Sequence, residues 1–164
     1  TIGEVRNKGA SIAKGKKLLF VDADTIVAKT LIEKVIKCKN KCGIPKHMIM
    51  GDKVFTLLNV LNIFILRKVP KLGVTPGCCM FFDRKVFNQV KGFNELLILN
   101  EDNYLFRKFL KKGCKIGLLD CEVRTSDRRI KEKGLFNYIL FHTQSYISYV
   151  FGLRQYAGEY DYVR

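Results

Sequence analysis

Leu18-Leu19-Phe20-Val21-Asp22-Ala23-Asp24-Thr25 is the stretch that decides the fold class. Four uninterrupted apolar residues predict a strand buried on both faces, and the acids that follow predict its delivery of Asp22 and Asp24 to the carboxyl edge of a sheet. In open α/β sheets that edge is where ligands bind. Two carboxylates two apart in extended geometry leave the chain toward the same side. Hard oxygen donors so placed suit Mg²⁺ or Mn²⁺, which can bridge to a diphosphate and neutralise charge on a leaving nucleotide. The competing structural reading is a turn in which one Asp caps the next helix.

Working outward, Thr30-Leu31-Ile32-Glu33 has capping-box spacing. It predicts a helix whose stripe, Leu31, Ile32, Val35 and Ile36, ends near Gly43 and Pro45. His47 to Thr56 reads as strand, and Val54 to Leu66 is an uncharged apolar stretch closed by Arg67-Lys68. Cys78 to Phe82 is a second short buried run, entered through the turn Thr75-Pro76-Gly77. Asp83 is placed to cap a short helix from Arg84 to Val90 that Gly92 stops. Glu101 to Lys112 predicts the clearest helix, with Leu105, Phe106, Phe109 and Leu110 on one face, acids in its first turn and lysines in its last. Lys115 to Asp120 returns as strand.

Composition sets the outer limits. With 164 residues, 48% hydrophobic and 27% charged, the chain can bury a core, which excludes a disordered tail or a collagen-like repeat. Thirty Lys and Arg against fifteen Asp and Glu leave a net charge of +15, a field that attracts phosphates on nucleotides, nucleic acid or lipid. The six cysteines, Cys38, Cys42, Cys78, Cys79, Cys114 and Cys121, fall mostly in apolar or helical stretches and read as reduced thiols of a cytoplasmic protein. Cys38 and Cys42 read as packing, since no second pair is spaced to complete a zinc site.

The expected organisation is one α/β unit over residues 1–132 and a helical appendage over 133–164. Gly134 to Leu153 carries no charge between Lys133 and Arg154 and is long enough to cross about 30 Å as a helix. Asn137, His142, Thr143, Gln144, Ser145 and Ser148 interrupt it, so packing on the domain or lying in a membrane interface is the better expectation. The chain opens at Thr1 and runs directly into Glu4-Val5-Arg6-Asn7-Lys8-Gly9-Ala10, which reads as the interior of something longer.

The ordered set of motifs goes further than any one of them. Arg6-Asn7-Lys8-Gly9-Ala10 leading to Leu18 through Thr25, then Thr75-Pro76-Gly77, Asp83-Arg84-Lys85-Val86-Phe87, Gly92-Phe93-Asn94-Glu95, and Glu101-Asp102 with Arg107 and Gly113, closely resembles family 2 glycosyltransferases of the GT-A fold. The likeness covers about Arg6 to Arg129. It implies a Rossmann-like mixed sheet flanked by helices and incomplete at its N-terminus, and an enzyme that moves a sugar from a nucleotide-diphosphate donor to an acceptor with inversion.

By that resemblance Asp24 binds a divalent cation, Mg²⁺ or Mn²⁺, and Asp22 faces the donor ribose or the metal shell. Asp102 matches the general base, a carboxylate that takes the acceptor hydroxyl's proton as its oxygen attacks carbon, and Glu101 supports it. Arg6 and Asn7 match a helix near the nucleotide, Gly77 a turn near the donor sugar, and Arg128 and Arg129 basic residues against the diphosphate. Two departures stand out. The family's metal-shell His is replaced by Ser126 or Asp127, with His47 and His142 elsewhere. The family's first strand and donor-base segment would precede Thr1, so this 164-residue piece is expected to bind nucleotide poorly and to be inactive until that segment is restored.

The basic balance, the apolar stretch before Arg67-Lys68 and the uncharged C-terminal helix together lead us to expect a peripheral location at an anionic membrane surface, with polyprenyl phosphate or another lipid-linked molecule as acceptor. Two other readings compete. Leu18 to Asp24 also resembles the first motif of haloacid-dehalogenase-like phosphatases, with Asp22 as nucleophile. A non-enzymatic basic module for membrane or nucleic acid is the third, although no nucleic-acid-binding motif is present.

Overall fold

The computed structural model describes residues 1–51, 53–71 and 74–151. Helix α1 (Ile2–Ile12) leads into strand β1 (Lys17–Val21), β2 (Thr25–Val27), helix α2 (Leu31–Lys37) and β3 (Cys42–Met50). Helix α3 (Lys53–Lys68), β4 (Cys79–Asp83), α4 (Arg84–Gln89), α5 (Glu101–Lys111), β5 (Ile116–Thr125), α6 (Arg128–Lys133) and α7 (Leu135–Val150) follow. The five strands form one sheet in the order β1-β4-β3-β5-β2. Only β3 and β5 run parallel; β1 with β4, β4 with β3 and β2 with β5 are antiparallel. The chain is therefore a mixed α/β fold with helices flanking a mixed sheet.

The best-buried strand is β4. Its pleat sends Met80 and Phe82 into one apolar cluster with Phe87, Phe93, Phe106 and Phe109, and Cys79 and Phe81 into another with Leu31, Val35, Leu119 and Val123. Alternation across the pleat thus covers both faces of the sheet. Phe82 lies 4.9 Å from Phe106 and 5.1 Å from Phe109, centroid to centroid, so α5 is anchored on the sheet by aromatic packing.

Several expectations are corrected here. Among the described residues the strand before the acids pairs with β4 alone, at the sheet edge, and only Leu18 within it is buried. Helix α2 stops at Lys37, and Gly43 and Pro45 belong to β3. Gly43 is needed there because a Cβ would overlap the Gly117 carbonyl and the Phe81 ring. Thr30 makes no side-chain cap, and Ile32 and Ile36 face solvent while Leu31 and Val35 are buried. The strand expected over His47 to Thr56 ends at Met50, and the apolar stretch after it is helix α3. By contrast, Asp83 does cap α4, its carboxylate accepting from the Val86 amide at 3.1 Å; the helix ends at Gln89, with Lys91 in the left-handed region at φ 60 and Gly92 after it, its amide donating to the Phe87 carbonyl at 3.0 Å.

Helix α7 packs on the α/β unit along its described length. Asn100 donates to the Ser145 hydroxyl at 2.8 Å, Arg107 to the Tyr146 hydroxyl at 3.1 Å, and Phe55 of α3 meets Tyr138 at 6.1 Å. Leu153, Arg154 and the rest of 152–164 lie outside the described residues. No helix among the described residues is long and apolar enough to cross a membrane. All six cysteines are free thiols.

Candidate functional site

Strand β1 ends in a tight turn. The Asp22 amide donates to the Cys78 carbonyl at 2.9 Å, which ties the turn to the entry of β4, and the Thr25 amide donates back to the Asp22 carbonyl at 3.0 Å. Asp24 is exposed at the tip of this turn. From Thr25 the chain enters β2 and pairs with the end of β5, Thr25 opposite Thr125. That register sets Ser126, Asp127, Arg128 and Arg129 directly after the strand that flanks the acidic turn.

Arg6 joins the two acidic loci. From the middle of α1 its guanidinium donates to Asp22 Oδ1 at 2.8 Å, to Glu101 Oε1 at 2.7 Å and to the Gly77 carbonyl at 3.2 Å. Its side chain is 12% exposed and that of Glu101 9%, so this is a largely desolvated charge pair, whereas Asp22 at 43% still meets solvent. A planar fork suits this task, since one guanidinium can serve two carboxylates and a carbonyl at fixed angles. The Phe93 ring, 5.5 Å from the Arg6 Cζ, backs the cation.

Glu101 and Asp102 begin α5, and the start of that helix is pinned by amides. Asn100 sits in the left-handed region at φ +60. Its side-chain oxygen accepts from Asn103, whose own oxygen accepts from the Thr75 amide at 2.7 Å and the Thr75 hydroxyl at 2.9 Å. One buried chain of hydrogen bonds therefore runs from the Thr75-Pro76-Gly77 turn through α5 to Ser145 of α7. Gly77 leaves room for the acid: a Cβ there would stand 2.7 Å from Asp102 Oδ2 and 3.7 Å from Arg6 Nη2, so the carboxylate would have to shift.

Electrostatics follow from this crowding. Desolvation, then the Glu101 charge, pushes the Asp102 carboxyl up to about 7, against the pull of the Asn103 amide bond and Arg6. Glu101 is also raised, by burial, in spite of Arg6. Burial and then the Asp22 charge push the Cys78 thiol up to about 12, with Asp24 and Asp102 adding to it. That thiol stays protonated and is no nucleophile. A cavity of about 740 Å³ opens between α1 and β1, with Val5, Ala10, Leu18 and Phe20 along it and Arg6 and Asp22 at its polar end; Asp24, Glu101 and Asp102 do not line it. Its size suits a small-molecule ligand.

Not every expected residue reaches this centre. Asn7 braces the turn after α4, donating to the Phe93 carbonyl at 3.0 Å and to Glu95 at 2.9 Å and accepting from the Phe93 amide. Arg128 lies on α6 with its guanidinium 3.9 Å from Glu132, and Asp127 pairs with Lys131 at 3.0 Å. His47 is on the exposed face of β3 against Asp120. The family resemblance places Arg6 near a nucleotide; its bridging of residues 16 and 95 positions away has no local signal in the sequence.

Among the described residues no three His, Cys, Asp or Glu side chains converge as a metal cage. The donor set fits a different kind of site. Asp24 has no protein partner among the described residues, and one or two carboxylates completed by water and substrate phosphate are what Mg²⁺ ordinarily takes. No protein-family model matches the chain, and no curated protein matches it.

Proposed function

We propose that the protein is a glycosyltransferase of the GT-A type, moving a sugar from a nucleotide diphosphate to an acceptor. The observation that carries this reading is the Arg6 bridge, which ties the aspartate turn to the helix-opening acids through Asp22 and Glu101. Donor and acceptor chemistry need two acidic loci at one place, one for the departing diphosphate and one for the incoming nucleophile.

Asp24, with Asp22 behind it, would hold Mg²⁺ or Mn²⁺, and the bound cation would neutralise charge on the leaving nucleotide diphosphate. Because Arg6 already engages Asp22, Asp24 is the principal ligand and Asp22 the group that faces the ribose. Arg128 and Arg129 follow β5, the strand that pairs with β2 beyond the acidic turn; they would meet the diphosphate oxygens once the Arg128 guanidinium turns away from Glu132, 3.9 Å from it. Asp102, with its carboxyl raised to about 7, is poised as a general base near neutral pH. Toward a hydroxyl acceptor it removes the proton as the new C–O bond forms. Toward polyprenyl phosphate, our favoured acceptor, the nucleophile is already ionised and Asp102 only orients it. Glu101 holds Arg6 and through it the spacing of the two loci.

The test is transfer of radiolabelled sugar from nucleotide-diphosphate donors to polyprenyl phosphate, with Mg²⁺ or Mn²⁺, by the protein expressed from its full reading frame. Asp24→Asn should abolish transfer. Asp102→Asn should keep measurable transfer to the phosphate and lose roughly 10²–10⁴-fold with a hydroxyl acceptor. Transfer indifferent to both substitutions would overturn the reading.

A further inference from the structure

Helix α3 is apolar on both its buried and its exposed sides. Its polar Asn59 is buried together with Ile63 and Leu66, while Leu57, Leu58, Val60, Leu61 and Phe64 are between 40% and 68% exposed. Residues three, four and seven apart share a helix face, so Leu57, Leu58, Leu61 and Phe64 form one apolar stripe opposite the buried side. A contiguous row of large apolar side chains facing water marks a contact surface.

Its occupant can be read from length, chemistry and charge. Sixteen residues make a helix of about 24 Å, short of the roughly 30 Å hydrocarbon core. A helix of this kind lies in the membrane plane with its apolar side down. The stripe offers no side-chain donor or acceptor to orient a protein partner, which interfaces between proteins ordinarily supply; lipid tails need none. Arg67 and Lys68 close the last turn and Lys71 lies exposed just beyond, in a chain of net charge +15. Cations at the end of an apolar stripe match an anionic headgroup layer.

We infer that the outward face of α3 docks on an anionic lipid bilayer, with the helix lying in its interface. The docked helix is tied to the cleft. Asn62 donates to the Val74 carbonyl at 2.6 Å and accepts from the Val74 amide at 2.9 Å, and Val74 leads directly into the Thr75-Pro76-Gly77 turn against Asp102. This surface serves the reaction proposed above by keeping a lipid-borne acceptor near the acids, yet it is read out by lipid contact, so the two proposals fail separately.

The chain has no Trp, so Phe64→Trp places a single reporter on the stripe. Ile36→Trp, at a site 70% exposed on α2, which packs on the other sheet face, is the control. On adding vesicles of phosphatidylglycerol and phosphatidylcholine, emission of the Phe64→Trp protein should shift to shorter wavelength and be quenched by brominated acyl chains, while the control stays unchanged. Leu57→Asp with Leu61→Asp, two exposed positions whose change leaves the core intact, should abolish sedimentation with the vesicles. Arg67→Gln with Lys68→Gln should weaken binding about thirtyfold, at roughly one kcal/mol per cation. Equal binding to pure phosphatidylcholine would overturn the anionic requirement. No spectral shift on any vesicle would overturn the proposal, as would a shift that instead tracks protein concentration and dimer formation in ultracentrifugation.

Discussion

Replacing Asp102 by Asn should stabilise the protein, by an amount that grows with pH. The carboxyl is raised from 3.8 to about 7, first by desolvation and then by the neighbouring Glu101 charge. Above pH 3.8 the unfolded chain releases a proton that the native state keeps until about pH 7. Stability linked to this group is therefore complete below the lower value, drains as the pH rises through the interval, and is constant beyond it. A shift of roughly three units amounts to about 4 kcal/mol. The amide carries no charge to desolvate, and its oxygen can still accept the Asn103 amide hydrogen that Asp102 Oδ1 accepts at 2.7 Å. Urea unfolding of both proteins between about pH 4 and pH 9, extrapolated to water, should show a gap near zero at the acid end that widens to about 4 kcal/mol at the alkaline end. A gap independent of pH, or a variant less stable than its parent at the alkaline end, would refute the reasoning.

Arg6→Gln tests the opposite sign. It leaves Glu101 buried without its cation and should cost about 3–5 kcal/mol at neutral pH, with the loss shrinking toward pH 4.5, the ordinary value for a glutamate, as the carboxyl takes up a proton; urea curves at the two pH values check this, and equal losses would contradict it. Two glycine substitutions should separate packing from positioning. Gly43→Ala drives a methyl into the Gly117 backbone and the Phe81 ring, neither of which can yield, and should cost about 3 kcal/mol or more. Gly77→Ala meets only the end of the Asp102 carboxylate, so melting curves should show a smaller loss while the pH dependence traced to Asp102 moves; a Gly77 variant less stable than the Gly43 variant would count against the assignment.

Much of the fold was legible locally because punctuation and period agreed. Asp83 and Gly92 bracket α4, and acids, apolar face and lysines define α5, as residue type alone predicts. Misreadings came where two periods coexist or where neighbours decide. The apolar stretches on either side of Gly51-Asp52-Lys53 suit strand or helix, and a strand read through to Thr56 passes over a turn signal that the sequence does carry; β3 ends at Met50, just before it. The strand Lys17–Val21 looks central by hydrophobicity, but its exposure depends on how many neighbours it has. At the site, the spacing of Asp22 and Asp24 and the helix-opening Glu101-Asp102 were readable as candidates. Their convergence was expected only from the family resemblance, because Arg6, which joins them, is a single cation in a chain of thirty. The hydrogen-bond chain through Thr75, Asn103, Asn100 and Ser145 leaves no trace in the sequence, since buried amides carry no periodic signature.

The most direct measurement is paramagnetic broadening of backbone amide signals by Mn²⁺ in the presence of a nucleoside diphosphate, which reports even weak binding. Signals from Asp22, Ala23 and Asp24 should fade first, those from Gly77, Cys78 and Asp102 should fade with them, and Asp24→Asn should remove the effect. Broadening centred elsewhere, or fading of the aspartate turn with the Gly77 and Asp102 amides untouched, would contradict a shared site for cation, diphosphate and base.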